Sequence, residues 1–446
     1  MPELRSTEDG QLVDRAVGIL TANWRGNSTV PSRSLYPHQW SWDSAFIALG
    51  LRHVSPRRAA RELTTLLGAQ WADGRIPHIV FNPAVAEEAY FPGPAFWQST
   101  AVPGTPAVDT SGIIQPPVHA IAALAVARTL PSTERDLFVR RVLEPLRRQS
   151  AYLSERRSAN GLAVILHPWE SGLDNSPAWD RPLAAVPAEP ALLQTWQRRD
   201  LDHASPQDRP TDDDYSRYVR LALAYRDHDY NDDWALSSAE FCVTDPLLNS
   251  IWAWSETALA KLSELAGSDG STHRRCAQHI TDSMTETLWD PAGGLFRALD
   301  VRTGKWTPAA TVAGLTPLVL PGLPADLVTR LVATLQGTGF MINSNAVRGI
   351  PSNALDADTF EPRRYWRGPT WVNTSWLLVQ GLRTHGHSDL ADRLAADVTN
   401  LCDESGFWEY FDVRTGAGHG TKDFSWSAAL SIDLVISQPP DPHKED

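Results

Sequence analysis

Helical periodicity runs through most of this chain and is interrupted at intervals by polar loops that contain glycine and proline. Leu327, Leu331 and Leu335, for example, follow Pro324 at the four-residue spacing of one helix face. Patterns of this kind predict about a dozen helices. They cover residues 14–24, 45–51, 59–67, 118–130, 138–153, 215–225, 247–265, 274–288, 325–335, 371–382, 390–401 and 426–436. Strand signals are short, as at 162–166 and 294–301, so the sequence predicts an all-α fold.

The arrangement of the loops favours a closed ring of helical hairpins over a simple bundle. At 446 residues the chain exceeds the usual single-core size of about 250 to 300 residues, yet no linker divides it. In a toroid of helix pairs, alternate loops meet at one mouth. We therefore predict a single catalytic domain over residues 1–446. A Pro-rich and acidic excursion around 176–214 is long for a compact domain, and we expect it to form a cap over the mouth.

Composition excludes several classes of protein. No apolar run approaches the ~18 residues of a membrane span, and the first residues lack a secretory apolar segment, so the sequence predicts a cytoplasmic protein. The net charge of −13, without any basic stripe, argues against a nucleic-acid partner. Three distant cysteines, Cys242, Cys276 and Cys402, indicate neither a disulfide framework nor a metal knuckle. We expect no metal and no cofactor; a homo-oligomer is compatible with the sequence.

The segment from His167 to Asp180 concentrates acids and indoles within fourteen residues. Gly172 and two prolines indicate a turn between helices. Indole rings can carry the apolar faces of a sugar, while a half-desolvated carboxyl can stay protonated as a general acid. The 18 Trp of the chain, many of them beside acids or prolines in loops, also favour a carbohydrate substrate. The alternative is a rigid structural turn whose acids cap neighbouring helices.

Five motifs resemble those of one enzyme family. They are WDSAF at 42–46, SGIIQPP at 111–117, WESGLDNSP at 169–177, YWRGPTW at 365–371, and EYFD at 409–412 followed by DFSWSAAL at 423–430. Each motif alone is weak, but five in this order are specific. The sequence resembles glycoside hydrolase family 63 from about residue 36 to 430. The DRPTDDDY segment at 208–215 resembles its bacterial glucosylglycerate/mannosylglycerate hydrolase branch.

The resemblance implies an (α/α)6 barrel that cleaves a small α-glucoside with an acidic aglycone by general acid/base catalysis, with inversion of the anomeric centre. The substrate it implies first is glucosylglycerate, with mannosylglycerate as a further one, and the products are the sugar and glycerate. The acid of the family motif corresponds to Asp174 and the base to Glu409. Inverting hydrolysis needs two carboxyls roughly 6.5 to 9.5 Å apart, with water between them, which two loops at one mouth can supply. Asp180 and Glu404 are the rival carboxylates.

The resemblance also implies a set of substrate-binding residues. Asp43 corresponds to the ligand of the sugar hydroxyls, and further candidates come from the surrounding loops. These candidates are Tyr36, Trp40, Trp42, His78, Gln115, Trp169, Gly172, Asn175, Tyr218, Trp366, Arg367, Gly368 and Trp371. Three of them have structural alternatives: Trp371 as helix core, His78 as a structural imidazole, and Arg367 as an ion-pair partner that holds Glu170 or Asp43 in place.

An acidic aglycone needs a cation, because burying its carboxylate unpaired beside two acids would cost several kcal/mol. Arg217, among Tyr215 and Tyr218 at the start of a predicted helix, is the candidate, together with the hydroxyl of Tyr36. The alternative is that Arg217 only pairs with Asp213 or Asp214 along the helix.

Other functions compatible with the sequence are a trehalase-like or oligosaccharide α-glucosidase and a non-catalytic carbohydrate-binding protein. A Mg-dependent prenyl-diphosphate enzyme would use Asp212, Asp213 and Asp214 as its metal motif. Those acids are better explained by the positive end of the helix that follows them.

Overall fold

A computed structural model describes residues 7–202 and 205–437 of the chain. Within this part, twelve α-helices have eleven residues or more. They are α1 Thr7–Ala22, α2 Ser41–Val54, α3 Pro56–Leu67, α4 His119–Thr129, α5 Ser132–Arg156, α6 Asp212–Arg226, α7 Pro246–Leu265, α8 Ser271–Leu288, α9 Ala325–Gln336, α10 Val372–Thr384, α11 Ser388–Ser405 and α12 Ser425–Ile436. Shorter α-helices are Pro94–Trp97, Asp180–Ala184, Leu192–Thr195 and Asp232–Ser238. The 3-10 helices are Glu87–Ala89, Ser99–Ala101, Pro168–Ser171, Pro177–Trp179, Asp200–Asp202, Pro206–Asp208 and Val312–Val319.

The described strands are short and pair in four small antiparallel sheets. The largest sheet has the order Ser158–Ala159, Leu162–Ile165, Val243–Thr244, Leu299–Asp300 and Lys305–Trp306. The two-stranded sheets pair Gln39–Trp40 with Ile79–Val80, Trp289–Asp290 with Leu295–Phe296, and Trp408–Phe411 with Gly418–Lys422. No sheet in this part of the chain closes on itself, and the fold is mainly helical.

The burial of each helix follows from its sequence. In α2 the eleven consecutive residues Ser41–Leu51 are all buried, as expected for a helix surrounded by others. In α3 the buried residues Ala59, Leu63 and Leu66 lie on one face, and basic residues occupy the other. The two helices therefore belong to different layers.

An inner series of segments packs in succession. Helix α12 contacts α2, α2 contacts α4, α4 contacts α7, and α7 contacts the 3-10 helix Val312–Val319. That 3-10 helix contacts α10, which in turn contacts α12. An outer helix covers each inner segment: α1 on α12, α3 on α2, α5 on α4, α8 on α7, α9 on the 3-10 helix, and α11 on α10. Helix α6 belongs to neither layer.

The predicted helices all overlap observed ones, but three local expectations differ from the structure. The inner segment Val312–Val319 was not predicted, because Gly314 and Pro317 interrupt an otherwise apolar stretch. The strand signal at 294–301 is two strands, Leu295–Phe296 and Leu299–Asp300. The motif around 407–412 was predicted as a loop and contains the strand Trp408–Phe411.

None of the described helices combines the length and apolar character needed to cross a bilayer. The described residues also contain no group of three or more His, Cys, Asp or Glu side chains that could hold a metal ion. Thr211 is the N-cap of α6, because its hydroxyl accepts a hydrogen bond from the Asp214 amide. Asp212, Asp213 and Asp214 lie in the first turn, where negative charge complements the helix dipole.

Candidate active site

A cavity lies where loops from both ends of the sequence meet. Asp174 and Glu409 both line it, although 235 positions separate them in the chain. Nine further predicted residues line the same cavity. They are Tyr36, Trp40, Trp42, Asp43, His78, Gln115, Trp169, Gly172 and Trp366.

Asp174 is presented by a tight turn. After the 3-10 helix Pro168–Ser171, Gly172 adopts a φ of +71°, and a Cβ on it would lie 2.5 Å from the Trp42 ring. Only glycine therefore fits this turn against the cavity wall. The Tyr218 hydroxyl donates to the backbone carbonyl of Asp174 at 3.0 Å and holds the turn from outside.

Burial raises the pKa of the Asp174 carboxyl to about 7. The positive charge of Arg209 opposes this shift, while the charges of Glu409 and Asp200 add to it. A carboxyl with this pKa carries a proton at neutral pH for a substantial fraction of the time. This raised pKa is the property that a general acid working at neutral pH requires.

Glu409 is held in place by three donors. The Tyr36 hydroxyl donates to Oε1 at 2.8 Å, while Arg209 Nη2 and the Thr421 amide donate to Oε2 at 3.1 and 3.2 Å. Burial raises the pKa of Tyr36 well above its ordinary value, so its phenol keeps the proton that it donates.

A register shift in the hairpin explains how an amide reaches Glu409. Trp408 pairs with Lys422 and Tyr410 with His419, which leaves an extra residue on the second strand. Gly420 lies at this bulge with a φ of +74°. The bulge directs the Thr421 amide to the Glu409 carboxylate instead of to a backbone carbonyl.

Asp43 is the third acid of the cavity and lies in the first turn of α2. Burial raises its pKa well above the usual range, and the charges of Glu409 and Asp174 raise it further. Gln115 fixes the start of α2, since its Oε1 accepts from the Trp42 amide at 3.2 Å.

Arg209 is the one arginine among the described residues that line the cavity, and the sequence did not single it out. Its side chain is 3% exposed, and its guanidinium carbon lies 4.6 Å from the centroid of the Tyr365 ring. Besides Glu409, it donates from Nη1 to the Tyr36 hydroxyl at 3.1 Å.

Arg198 fixes the segment that carries Arg209. Its guanidinium pairs with Asp200 at 2.7 Å, donates to the carbonyl of Pro210 at 3.0 Å, and lies 4.4 Å from the Tyr215 ring. Asp200, Arg209, Pro210 and Tyr215 all line the cavity, so the excursion predicted around 176–214 contributes side chains to the site.

Aromatic rings form the cavity walls and are backed by further rings. Trp366 stacks on Trp371 with ring centroids 3.7 Å apart, and Trp371 stacks on Tyr410 at 4.7 Å. On another side, Trp169 stacks with His78 at 6.4 Å. Burial lowers the pKa of His78 to about 3, so this imidazole is neutral at physiological pH.

Several predicted ligands do not line the cavity. The Asn175 side-chain oxygen accepts a hydrogen bond from the Trp366 amide at 2.9 Å and so fixes a residue of the cavity wall. Tyr218 fixes Asp174 through the hydrogen bond to its backbone carbonyl. Trp371 backs Trp366. The Gly368 amide donates to Ser352 Oγ at 2.9 Å, and a Cβ on Gly368 would lie 2.5 Å from the carbonyl of Glu361.

The predicted ligands Arg367 and Arg217 also do not line the cavity. Arg367 forms a bidentate pair with Asp180 at 2.9 and 2.8 Å, and ties neither Glu170 nor Asp43. Arg217 does not reach the cavity: its Nε donates to the carbonyl of Val186 at 3.0 Å, and its Nη1 pairs with Asp214 at 3.3 Å. Arg209 lines the cavity and Arg217 does not, because the Arg217 side chain is directed towards Val186.

The rival carboxylates lie outside the cavity. The Asp180 side chain is 45% exposed and belongs to the pair with Arg367. Glu404 is 56% exposed and pairs with Arg348 at 2.8 Å. Neither side chain lines the cavity that holds Asp174 and Glu409.

Further lining residues were missed by the sequence predictions. They are Pro31, Leu35, Tyr90, Phe91, Asp200, Arg209, Pro210, Tyr365, Phe424 and Trp426. Some of them stood in motifs already quoted: Arg209 in DRPTDDDY and Tyr365 in YWRGPTW. Tyr90 and Phe91 lie in a long loop without any motif, and no sequence signal indicated them.

A buried ionic network lies beneath the cavity and joins its loops. Arg157 is fully buried and pairs with Glu170, which also accepts from the amides of Leu166 and Ile114. Arg157 also pairs with Asp232 at 3.0 Å. Asp232 in turn binds Arg75 at 3.2 Å. The loops that carry His78, Gln115 and Asp174 are thereby fixed to one another.

Comparisons with known proteins show which family this chain resembles along most of its length. A family profile described as a mannosylglycerate hydrolase MGH1-like glycoside hydrolase domain matches residues 36–427. The chain is 38% identical to the mannosylglycerate hydrolase of Rubrobacter radiotolerans, over 95% of this chain and 97% of that protein. It is 36% identical to the glucosylglycerate hydrolase of Mycolicibacterium hassiacum, over 98% of this chain and 100% of that protein.

A solved structure of another enzyme is also similar to this chain along most of its length. The crystal structure of the GH63 mannosylglycerate hydrolase from Thermus thermophilus, in complex with Tris and D-glycerate, matches with a TM-score of 0.87 and 37% identity, covering 95% of this chain and 99% of that one. The matched profile and these relatives make this protein a glycoside hydrolase. The chain belongs to the mannosylglycerate hydrolase MGH1-like family, within glycoside hydrolase family 63, and the resemblance seen in its motifs is confirmed.

Proposed function

We propose that this enzyme hydrolyses an α-glycoside of glycerate, glucosylglycerate or mannosylglycerate, to the free sugar and glycerate, with inversion. The observation that carries the proposal is a cavity that combines Asp174 from a turn, Glu409 from a hairpin strand, aromatic walls and a buried arginine. The names of the relatives, mannosylglycerate and glucosylglycerate hydrolases, support a glycerate aglycone.

In the proposed reaction Asp174 donates its proton to the glycosidic oxygen as the bond from C1 to that oxygen breaks. Water attacks C1 from the opposite face, and Glu409 takes the proton of that water. Burial supports the role of Asp174, because it keeps the carboxyl protonated up to about pH 7. Asp174 lies in a turn and Glu409 on a strand of a separate hairpin, and this arrangement supports inversion, which needs space for a water molecule between the two acids.

The sugar is proposed to lie against Trp366, whose far face is covered by Trp371 and Tyr410. A ring supported in this way presents a rigid apolar surface to the C–H face of a sugar. Asp43 and Gln115 are proposed to bind sugar hydroxyls, since both line the cavity and are nearly buried.

The glycerate carboxylate is proposed to bind Arg209. The cavity contains the acids Asp43, Asp174, Asp200 and Glu409, and a further carboxylate among them requires a cation. Arg209 supplies a planar fork of donors, and its Nε is buried without a hydrogen-bond partner among the described residues. This free donor is suited to a ligand oxygen.

We also infer that the inner and outer layers close into an (α/α)6 toroid. Each of the six inner segments contacts the next, including the last with the first, and each has one outer helix. The chain is proposed to be a single catalytic domain, with a cap around residues 176–214 and helix α6 beside it.

The test is a hydrolysis screen over glucosylglycerate, mannosylglycerate, glucosylglycerol, trehalose and short α-gluco-oligosaccharides. We expect turnover of at least one glycerate glycoside, with kcat/KM at least about tenfold above that of the uncharged glucosylglycerol. Preference for trehalose or oligosaccharides would instead identify an α-glucosidase of another specificity. Failure to cleave any of them would indicate a glycoside hydrolase that acts on a different class of glycoside.

A further inference from the structure

Arg209 connects two parts of the site that have different tasks in the proposed reaction. From the cap it reaches Glu409, donating from Nη2 to Oε2 at 3.1 Å. It also donates from Nη1 to the hydroxyl of Tyr36, which itself donates to Glu409 Oε1. The residue proposed to bind the aglycone carboxylate therefore also forms an ion pair with the proposed base.

This pairing opposes the task of a base. An ion pair stabilises the charged form of a carboxylate, whereas a general base must accept a proton during the reaction. The Glu409 carboxylate already accepts from Tyr36 and from the Thr421 amide. With Arg209 as a third donor, few of its roughly four acceptor positions remain for the attacking water.

A substrate carboxylate would compete for the same cation. Arg209 has one positive charge, is 3% exposed, and is the one arginine among the described lining residues. Its buried Nε has no hydrogen-bond partner among the described residues, so a carboxylate can bind the edge formed by Nε and Nη2. Binding there draws the guanidinium and its charge away from Glu409.

We propose that the aglycone carboxylate activates the enzyme by withdrawing Arg209 from Glu409, so that recognition of the acid and release of the base are one event. This inference rests on the proposed function. Arg209 acts as a positioning residue for the base as well as a specificity residue. A glycoside without a carboxylate leaves the ion pair between Arg209 and Glu409 intact. Its kcat is therefore lower than that of a glycerate glycoside, in addition to its weaker binding.

The consequence can be tested with the carboxylate and the sugar on separate molecules. A glycosyl fluoride of α-configuration, with the sugar that the hydrolysis screen selects, leaves room for free D-glycerate beside Arg209. In its hydrolysis the C1–F bond breaks, the oxygen of water bonds to C1, the proton of water passes to Glu409, and fluoride leaves. Fluoride release is followed with increasing D-glycerate, and with glycerol as the uncharged control.

We expect D-glycerate to raise kcat for the fluoride by about tenfold and glycerol to leave it unchanged. In Arg209→Gln, kcat for the fluoride without glycerate should exceed that of the wild type, and glycerate should have no effect. The same variant should have a raised KM for the glycerate glycoside. Arg209→Lys should keep part of the stimulation, because it keeps the charge. A purely structural role of Arg209 would lower kcat for both substrates.

Arg199→Ala is the matched control. Arg199 belongs to the same cap segment, does not line the cavity, and has its carboxylate partner Asp202 3.6 Å away. It should keep the stimulation seen in the wild type. If D-glycerate inhibits or does not change fluoride hydrolysis while the wild type cleaves the glycerate glycoside, the coupling is wrong and the proposed function stands. If the wild type cleaves no glycerate glycoside and glycerate has no effect, both are wrong.

Discussion

Gly420 lies against Glu409 across the hairpin, and a Cβ on Gly420 would overlap Glu409 Oε2. The same glycine has a φ of +74°, which creates the bulge that directs the Thr421 amide to this carboxylate. The position of the proposed base therefore depends on the absence of a side chain eleven residues away.

Gly420→Ala should lower kcat by about 10²-fold, because Glu409 must move away from the added methyl group and even a displacement near 1 Å can have this effect. Steady-state kinetics on the preferred glycerate glycoside gives the measurement. Gly386→Ala is the control: Gly386 has a φ of +78°, but nothing lies within 4 Å of its Cβ position. This control has the same backbone strain and should keep its kcat; equal losses in both variants would contradict the prediction.

Asp174→Asn and Glu409→Gln should each lower kcat by at least about 10²-fold, because each removes a proton-transfer group without removing volume. Far-ultraviolet circular dichroism should remain that of the wild type. Near-full activity of Glu409→Gln would rule out its role as base, and the remaining cavity acids Asp43 and Asp200 would then be tested in the same way.

The product released first should be the β-anomer. Inversion follows if water bound to Glu409 attacks C1 directly while Asp174 protonates the leaving oxygen. Proton NMR during the first minutes distinguishes the anomers before mutarotation mixes them. Early appearance of the α-anomer would show that a carboxylate, and not water, attacks C1.

In a plot of kcat against pH, the basic limb, where kcat falls as the pH rises, should lie near pH 7. Asp174 must be protonated to act as the acid, and with its pKa raised to about 7 by burial it loses that proton as the pH rises through this value. Arg209 lowers this pKa and Asp200 raises it. Arg209→Gln should therefore move the limb to higher pH and Asp200→Asn to lower pH. Shifts in the same direction in both variants would show that another group controls the limb.

Arg157→Met should lower the free energy of unfolding by about 3 to 5 kcal/mol, because it leaves Glu170 buried without its cation. Urea denaturation followed by circular dichroism measures the loss. The double variant Arg157→Met with Glu170→Met should recover a large part of it, since the unpaired charge is then removed. A double variant no more stable than the single one would mean that Arg157 contributes through Asp232 and not through Glu170.

Much of the helical fold is determined by local sequence. Helices such as α9 follow from leucines at four-residue spacing, because such a helix must bury that face whatever covers it. The segment Val312–Val319 shows the limit of this reasoning. Its residues are all buried, but Gly314 and Pro317 prevent a regular pattern, and its 3-10 conformation is stabilised by contacts with α7 and α10.

The sequence also determined which segments carry acids and indoles, since the turn around Gly172 and the motif beginning at Glu409 are visible as local patterns. Tertiary structure decided which neighbours in those motifs face the cavity. Trp366 lines it and Trp371 lies behind, although both belong to one motif. Arg209 reaches it and Arg217 does not, although only eight positions separate them. The direction of a side chain depends on what packs against its own segment, and those partners, such as Glu409 for Arg209 and Val186 for Arg217, are distant in the chain.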